Sequence, residues 1–305
     1  LIGRRRKISN IIAKRGGACK VAPPQRREFF REGQVAEYIL YEVSDGVATI
    51  TLNRPEQRNA QNQPFLEELN DAWERAAKDD EVRVILLQAN GPHFSAGHDI
   101  VPGGIRTPEQ QAIGDNIPKS GALTLHNWES KYYLGYSRRW RDIPKPSIAA
   151  VQGACIAGGL LLAWPCDLII AAENARFSDP VVLMGIGGVE YHGHTWELGP
   201  RKAKELLFTA KPIGAHEAEK RGMVNRVVPT EELHKAAREL ALEIAAMHPH
   251  ALAMAKRAVN QTLDIMGQQA ALQSCFDIHQ LGHSSAYIQS GQFVLAGVQQ
   301  IKGKV

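Results

Sequence analysis

The fold is decided by one stretch: Lys145-Pro146-Ser147-Ile148-Ala149-Ala150-Val151-Gln152-Gly153-Ala154-Cys155-Ile156-Ala157-Gly158-Gly159, continuing through Leu160-Leu161-Leu162-Ala163-Trp164-Pro165 to Cys166-Asp167. Residues 147–151 are a short apolar run that reads as a buried strand, ended by Gln152-Gly153. A turn of small residues then leads into a short helix over 158–164, stopped by Pro165, which cannot continue a helix. Residues 167–172 (DLIIAA) read as the next strand. Strands alternating with helices argue for an α/β architecture. The turn also has chemical content, because free amides at a helix N-terminus favour negative charge.

Working outward, residues 35–43 and 46–52 flank the turn Ser44-Asp45-Gly46 and read as a β-hairpin. Residues 64–78 place Phe65, Leu66, Leu69, Ala72, Trp73 and Ala76 on one helical face, with Pro64 at an early position. Residues 82–88 (VRVILLQ) read as a buried strand, followed by a loop over 89–99. The segment 101–136 has no clean period. A structureless loop of that length is uncommon in a compact domain, so it reads as a partly helical insertion, with a helix over 128–141, placed to cover a site. After Pro229 the chain reads as helical over 231–246, 249–262 and an irregular stretch to 288. The expected organisation is a basic tail over 1–34, an α/β core over 35–230 and a helical region over 231–305.

The 305 residues are 44% hydrophobic and 22% charged, which fits a globular protein and excludes disorder over most of the chain. Cys19, Cys155, Cys166 and Cys275 lack the spacing of a disulfide framework or a zinc site, so a reducing compartment is expected. No apolar run approaches the roughly 18 residues that span a bilayer, so no membrane partner is expected. The net charge of +4 divides unevenly: residues 1–31 hold ten Lys and Arg against Glu28 alone, leaving −5 on the remainder. A mildly acidic body gives no support to nucleic-acid binding. The tail reads as sequence outside the fold, an Arg-rich targeting segment or an arm for acidic partners. The location expected is cytoplasmic, or an organelle if the tail is a transit segment.

Two segments carry chemistry. In His93-Phe94-Ser95-Ala96-Gly97-His98-Asp99, Gly97 permits an unusual backbone conformation, so the amide of His98 can point into a cavity. The second is the turn 152–159. Together they can aim two N–H groups at one carbonyl oxygen, an oxyanion hole that stabilises an enolate.

The order of motifs resembles the crotonase (enoyl-CoA hydratase/isomerase) family. The resemblance rests on the 145–159 stretch with Cys166-Asp167, on Asn53-Arg54-Pro55-Glu56-Gln57-Arg58-Asn59-Ala60, on Phe94–Asp99, on residues 215–229 and on Ala253-Met254-Ala255-Lys256. It covers roughly 35–261. It implies a spiral of ββα units with a helical C-terminal region that builds trimers or dimers of trimers. It implies acyl-CoA thioesters as partners, coenzyme A being part of the substrate and no separate cofactor being needed. The thioester oxygen would rest on the amides of His98 and Gly158. Coenzyme A would lie along Arg54, Gln57, Arg58 and Ala60 and along Ser95, Ala96 and Asp99.

The sequence departs from that pattern at the acid/base positions. The two glutamates of the hydratase pattern fall on Leu161 and Val181, which can neither activate water nor move a proton. The loop 184–195 (MGIGGVEYHGHT) offers Glu190, His192 and His194 instead; the acid of other branches would match Val189, one position away. The two histidines can serve as acid/base groups near neutral pH. Their i, i+2 spacing also evokes a metal site, but no further ligand set is visible and no metal is expected. Asp179 has either a capping and ion-pair role or a place in the pocket. The expected function is an acyl-CoA enzyme similar to enoyl-CoA hydratase (a lyase) with rearranged acid/base groups. The alternatives are an isomerase or hydrolase using Glu190 and His192, a non-catalytic acyl-CoA carrier, or a scaffold with a vestigial site.

Overall fold

The computed structural model describes residues 38–100 and 122–295. The basic tail and residues 101–121 of the expected insertion lie outside the described residues. The hairpin forms as β1 (Ile39–Ser44) and β2 (Val47–Leu52), antiparallel around Asp45-Gly46. Helix α1 (Gln63–Lys78) starts one residue before Pro64, where the Asn62 side chain accepts from Phe65 N and caps it. Strand β3 (Val84–Ala89) pairs with β2, and β4 (Ser147–Val151) and β6 (Leu168–Ala172) extend the sheet in parallel. Strand β9 (Arg226–Val228) completes the order β1-β2-β3-β4-β6-β9. A second sheet, β5-β7-β8, is built from Ala154–Ile156, Arg176–Ser178 and Ile213–Gly214.

Alternation along the strands explains how the large sheet is covered. Ile50, Leu52, Ile85, Leu87, Ala149 and Val151 face one cluster with Phe65, Leu69 and Trp73 of α1. Val47, Val84, Leu86, Ile148 and Ala150 face another with Leu233, Ala237 and Ala241 of the helix Leu233–Ala245. Parallel strands buried on both faces carry the near-continuous Val/Ile/Leu/Ala runs seen here.

The aromatic stretch expected as a helix over 128–141 is longer than that. It runs as α2 (Leu123–Glu129), a π turn Ser130–Leu134 and α3 (Gly135–Asp142), and α4 to α7 are Leu160–Ala163, His194–Thr209, Ala215–Arg221 and Leu233–Ala245. Two C-terminal helices follow, here α8 (Pro249–Ile265) and α9 (Gln268–Ser290). Lys256 of α8 bonds the Lys145 carbonyl at 3.0 Å and pairs with Asp167 at 2.8 Å. Asp167 in turn accepts from the backbone and hydroxyl of Ser147. Three of the motifs quoted above therefore form one structural tie beneath β4. Among the described residues no helix is long and apolar enough to cross a membrane.

Candidate active site

Two loops meet at the end of β3 and β4. Ser95 bridges to Cys155 of β5, and Gln61 bridges to His98. Gln61 accepts from Asp99 N and donates to Gly97 O, which turns the amide of His98 to the opposite side. That amide donates to no backbone group among the described residues. Gly97 has φ 87° and packs so closely that a Cβ there would lie 2.8 Å from Ile156 O and 3.0 Å from Gly158 N. The two amide-bearing segments are thus in direct contact.

Gly158 is the second residue of the 3-10 turn Ala157–Gly159, which runs straight into Leu160–Ala163. The first N–H groups of a helix have no intrahelical partner. Ala157 before it is held at φ 47°, an uncommon conformation for a residue with a side chain and of a kind found at functional turns.

The His98 side chain holds a place that its sequence motif did not announce. Its ring stacks on Tyr133 with centroids 3.8 Å apart, and a Cβ on Gly158 would fall 2.8 Å from two of its atoms. Its Nε2 lies 3.2 Å from Oε2 of Glu190. Glu190 is 3% exposed. Burial pushes its carboxyl up, but the charges of His98 and His279 and the bond to His98 overturn that and hold it well below the usual range. Glu190 is therefore a buried, ionised carboxylate, and one of its oxygens meets the histidine that begins the amide segment.

The other two candidates from that loop go elsewhere. His194 opens the helix His194–Thr209, is fully buried, and lies 2.9 Å from Asp179 but out of line for a hydrogen bond. Asp179 caps its own turn, accepting from Val181 N at 3.4 Å and Val189 N at 2.9 Å. His192 packs against His194 with centroids 4.3 Å apart. Burial and the His194 charge push His192 down to about 4, so it is neutral at neutral pH.

The residues quoted for coenzyme A divide into two groups. Arg54 donates to Ala60 O and Asp99, both at 2.7 Å, so the cation and the acid bind each other. Ser95 is fully buried, donating to Asn59 O and accepting from Gly97 N and Gln61. Gln57 and Arg58 are exposed, and Ala60 and Ala96 are half-buried. Leu161 is 2% exposed within the main core, and Val181 packs partly buried against it.

The enoyl-CoA hydratase/isomerase family profile matches residues 42–296. The chain belongs to that family. A Mycobacterium tuberculosis protein named as enoyl-CoA hydratase EchA13 is 46% identical over 280 residues, 87% of each chain. A crystal structure from Mycobacterium thermoresistibile, named as an enoyl-CoA hydratase, is similar with 61% identity and a TM-score of 0.76. The match covers 83% of this chain and 99% of that one. A second, from Mycobacterium smegmatis, gives 60% identity, a TM-score of 0.78, and 84% and 99% coverage. The crotonase fold read from the motif order is the fold found.

Three residues of the site were missed in the sequence. Glu129 of the aromatic helix and His279 and His283 of α9 lie behind Glu190, with His279 Nε2 at 3.5 Å from Glu190 Oε1. Burial alone would lower His279; the charge of Glu190 and the bond to Glu129 raise it to about 9. The i, i+4 histidine spacing on the last helix was the available signal.

Proposed function

We propose that this chain acts on acyl-CoA thioesters, holds the thioester oxygen on the amides of His98 and Gly158, and moves the α-proton with the His98–Glu190 pair. The observation that carries the proposal is the buried Glu190 carboxylate set 3.2 Å from the His98 ring. Removal of a proton next to a thioester carbonyl leaves negative charge on the oxygen, where amide donors stabilise it. A histidine beside a fixed carboxylate is suited to take that proton and return it. Leu161 and Val181 leave no pair of carboxylates to activate water, so a proton shift of the isomerase type is favoured over unaided hydration. Coenzyme A would run along the exposed Gln57 and Arg58, with Arg54, Ala60, Ser95, Ala96 and Asp99 shaping that wall. A trimer or a dimer of trimers fits the apolar side chains left exposed on α8 and α9, among them Val259, Ile265, Ile278, Leu281 and Ile288.

The test is deuterium incorporation at the α-carbon of acyl-CoA thioesters in heavy water, followed by mass spectrometry. Glu190→Gln should slow exchange by about 10²–10⁴-fold. Exchange in that variant at the native rate would remove Glu190 from the mechanism. A second reading, an acyl-CoA carrier without turnover, is favoured by the loss of both hydratase carboxylates. Tight binding with no exchange across short, long and branched acyl-CoAs would establish it over the first.

A further inference from the structure

His279-Gln280-Leu281-Gly282-His283 places two imidazoles one turn apart on the same face of α9. Gly282 between them lets the helix approach the loop after Met184: a Cβ there would stand 3.2 Å from Gly185 O. Each ring aims its Nδ1 at a backbone carbonyl, His279 at Gly188 O and His283 at Phe293 O, both at 2.7 Å. A carbonyl oxygen only accepts, so with both bonds made, both Nδ1 atoms carry a proton. In neutral rings both Nε2 atoms then present lone pairs, and they face each other at 2.9 Å. Glu129 adds two more electron-rich atoms, Oε2 at 3.3 Å from His279 Nε2 and Oε1 at 3.6 Å from His283 Nε2. Glu129, His279 and His283 are 5%, 4% and 8% exposed. Four donor atoms converge in a buried space, Glu129 Oε2 also accepting from Gln280 Nε2, and such a set calls for positive charge at its centre: the proton His279 holds without a metal, or a cation that displaces it.

We propose that Glu129, His279 and His283 form a binding site for a divalent transition-metal ion of the zinc class. The three residues can bring ligand atoms within 4.8 Å of one another. Metal–ligand bonds of about 2.1 Å put neighbouring donors about 3.0–3.4 Å apart at octahedral to tetrahedral angles, within a few tenths of an ångström of the 2.9, 3.3 and 3.6 Å found. Two imidazole nitrogens and a carboxylate suit zinc, cobalt, nickel or iron better than calcium or magnesium, which take oxygen. The Nδ1-to-carbonyl bonds are the outer contacts that fix the tautomer and orientation of a metal-bound imidazole. Charge agrees as well: the buried Glu129 carboxylate offsets part of the charge of a divalent ion, and the buried Glu190 carboxylate stands nearby, 3.5 Å from His279 Nε2. The ion would sit on the side of Glu190 away from His98. It would fasten α9 to the aromatic helix that carries Glu129. The site is separate from His192 and His194, the pair whose spacing evoked a metal in the sequence.

The experiment uses the full chain without an affinity tag, purified in the absence of chelators. Metal content is read by mass spectrometry, and the stripped protein is titrated with Co²⁺ while its visible ligand-field absorption is followed. The expected result is one equivalent per chain. His283→Gln and Glu129→Gln should each weaken Co²⁺ binding by roughly 100-fold or more, while the exposed His216→Gln leaves it unchanged. Circular dichroism on each variant confirms that it is folded, and the native stoichiometry stands as a test without any variant. Well under one equivalent of metal, or binding indifferent to His283→Gln and Glu129→Gln, overturns the proposal. So does a nitrogen NMR spectrum of the metal-supplemented protein showing a proton shared between the two Nε2 atoms.

Discussion

Replacing Gly158 by alanine adds one methyl group, and the structure says where it goes. The new Cβ would lie 2.8 Å from Cε1 and from Nδ1 of His98, and 3.1 Å from Oε1 of Gln61. Ordinary contact begins near 3.4 Å, so the ring would have to retreat by about 0.6 Å. It has little room to do so, being stacked on Tyr133 at 3.8 Å and held by Glu190 at 3.2 Å. The Gln61 amide is equally fixed, donating to Ser95 Oγ and Gly158 O. Overpacking of this kind costs about 1–3 kcal/mol of stability. The backbone N–H at 158 survives the substitution, so the catalytic cost comes through displacement: a turn shifted until that donor is out of line forfeits up to about 10²–10³-fold in turnover. Displacement of the His98 ring adds to that, because a shift of about 1 Å at a reacting group can cost 10²-fold. The assay is α-proton exchange on an acyl-CoA, with thermal unfolding followed in parallel. The expected result is exchange reduced at least 100-fold with a folded protein. Exchange within threefold of the native rate at an unchanged Tm would refute the placement of both the amide and the ring.

Other outcomes follow from the same structure. Arg54→Met leaves Asp99 without its partner in a site where both side chains are under 15% exposed, so stability should fall by about 2–4 kcal/mol, read as a Tm several degrees lower. Arg58→Met should leave Tm in place and raise KM for acyl-CoA in a salt-dependent way; equal effects of the two on KM and none on Tm would undo the division between them. His192 is neutral in the folded protein down to about pH 4 but takes a proton near 6.5 when unfolded. Its contribution is therefore complete above about pH 6.5 and lost as pH falls toward 4, by about 1–3 kcal/mol, and His192→Gln should flatten the denaturation curve over that window. Sedimentation should give a mass of about 100 kDa or twice that, for chains of 33.6 kDa, and Ile265→Asp with Ile278→Asp should shift it toward the monomer.

The parts of this fold that could be read in advance are those governed by local rules. The hairpin, α1, β3, β4 and β6 each carry their own period, turn or stop signal; β2, α1, β3, β4 and β6 start within two residues of the expected position, and β1 starts at Ile39 where 35 was expected. The short strands β5, β7 and β8 carry too few residues to show a period and exist because of tertiary pairing. The site divides in the same way. Gly97 and Gly158 were legible as glycines in tight turns, and a Cβ would meet backbone at the first and the His98 ring at the second. The role of the His98 ring was not, since it depends on Glu190, 92 residues away in sequence. Glu129, His279 and His283 lie outside every motif, and a single histidine pair on a helix is common in proteins that bind nothing.

The absence of carboxylates at 161 and 181 and the presence of Glu190 are two sides of one arrangement. Leu161 is packed into the main core, and its carbonyl already accepts from Ser137 Oγ. A carboxylate at that position would sit in apolar surroundings that raise its pKa and favour the neutral form. Glu190 occupies a different setting, with His98 before it and His279 behind it. Two imidazoles reach its two oxygens, and this is what allows a buried carboxyl group to remain charged. One of those imidazoles comes from α9. The C-terminal helix therefore does more than close the core, because the ionisation of the candidate acid depends on where that helix docks. A chain with Glu190 but a displaced α9 would bury an uncompensated charge, which couples the acid/base chemistry of this site to the packing of a helix that also presents apolar residues outward.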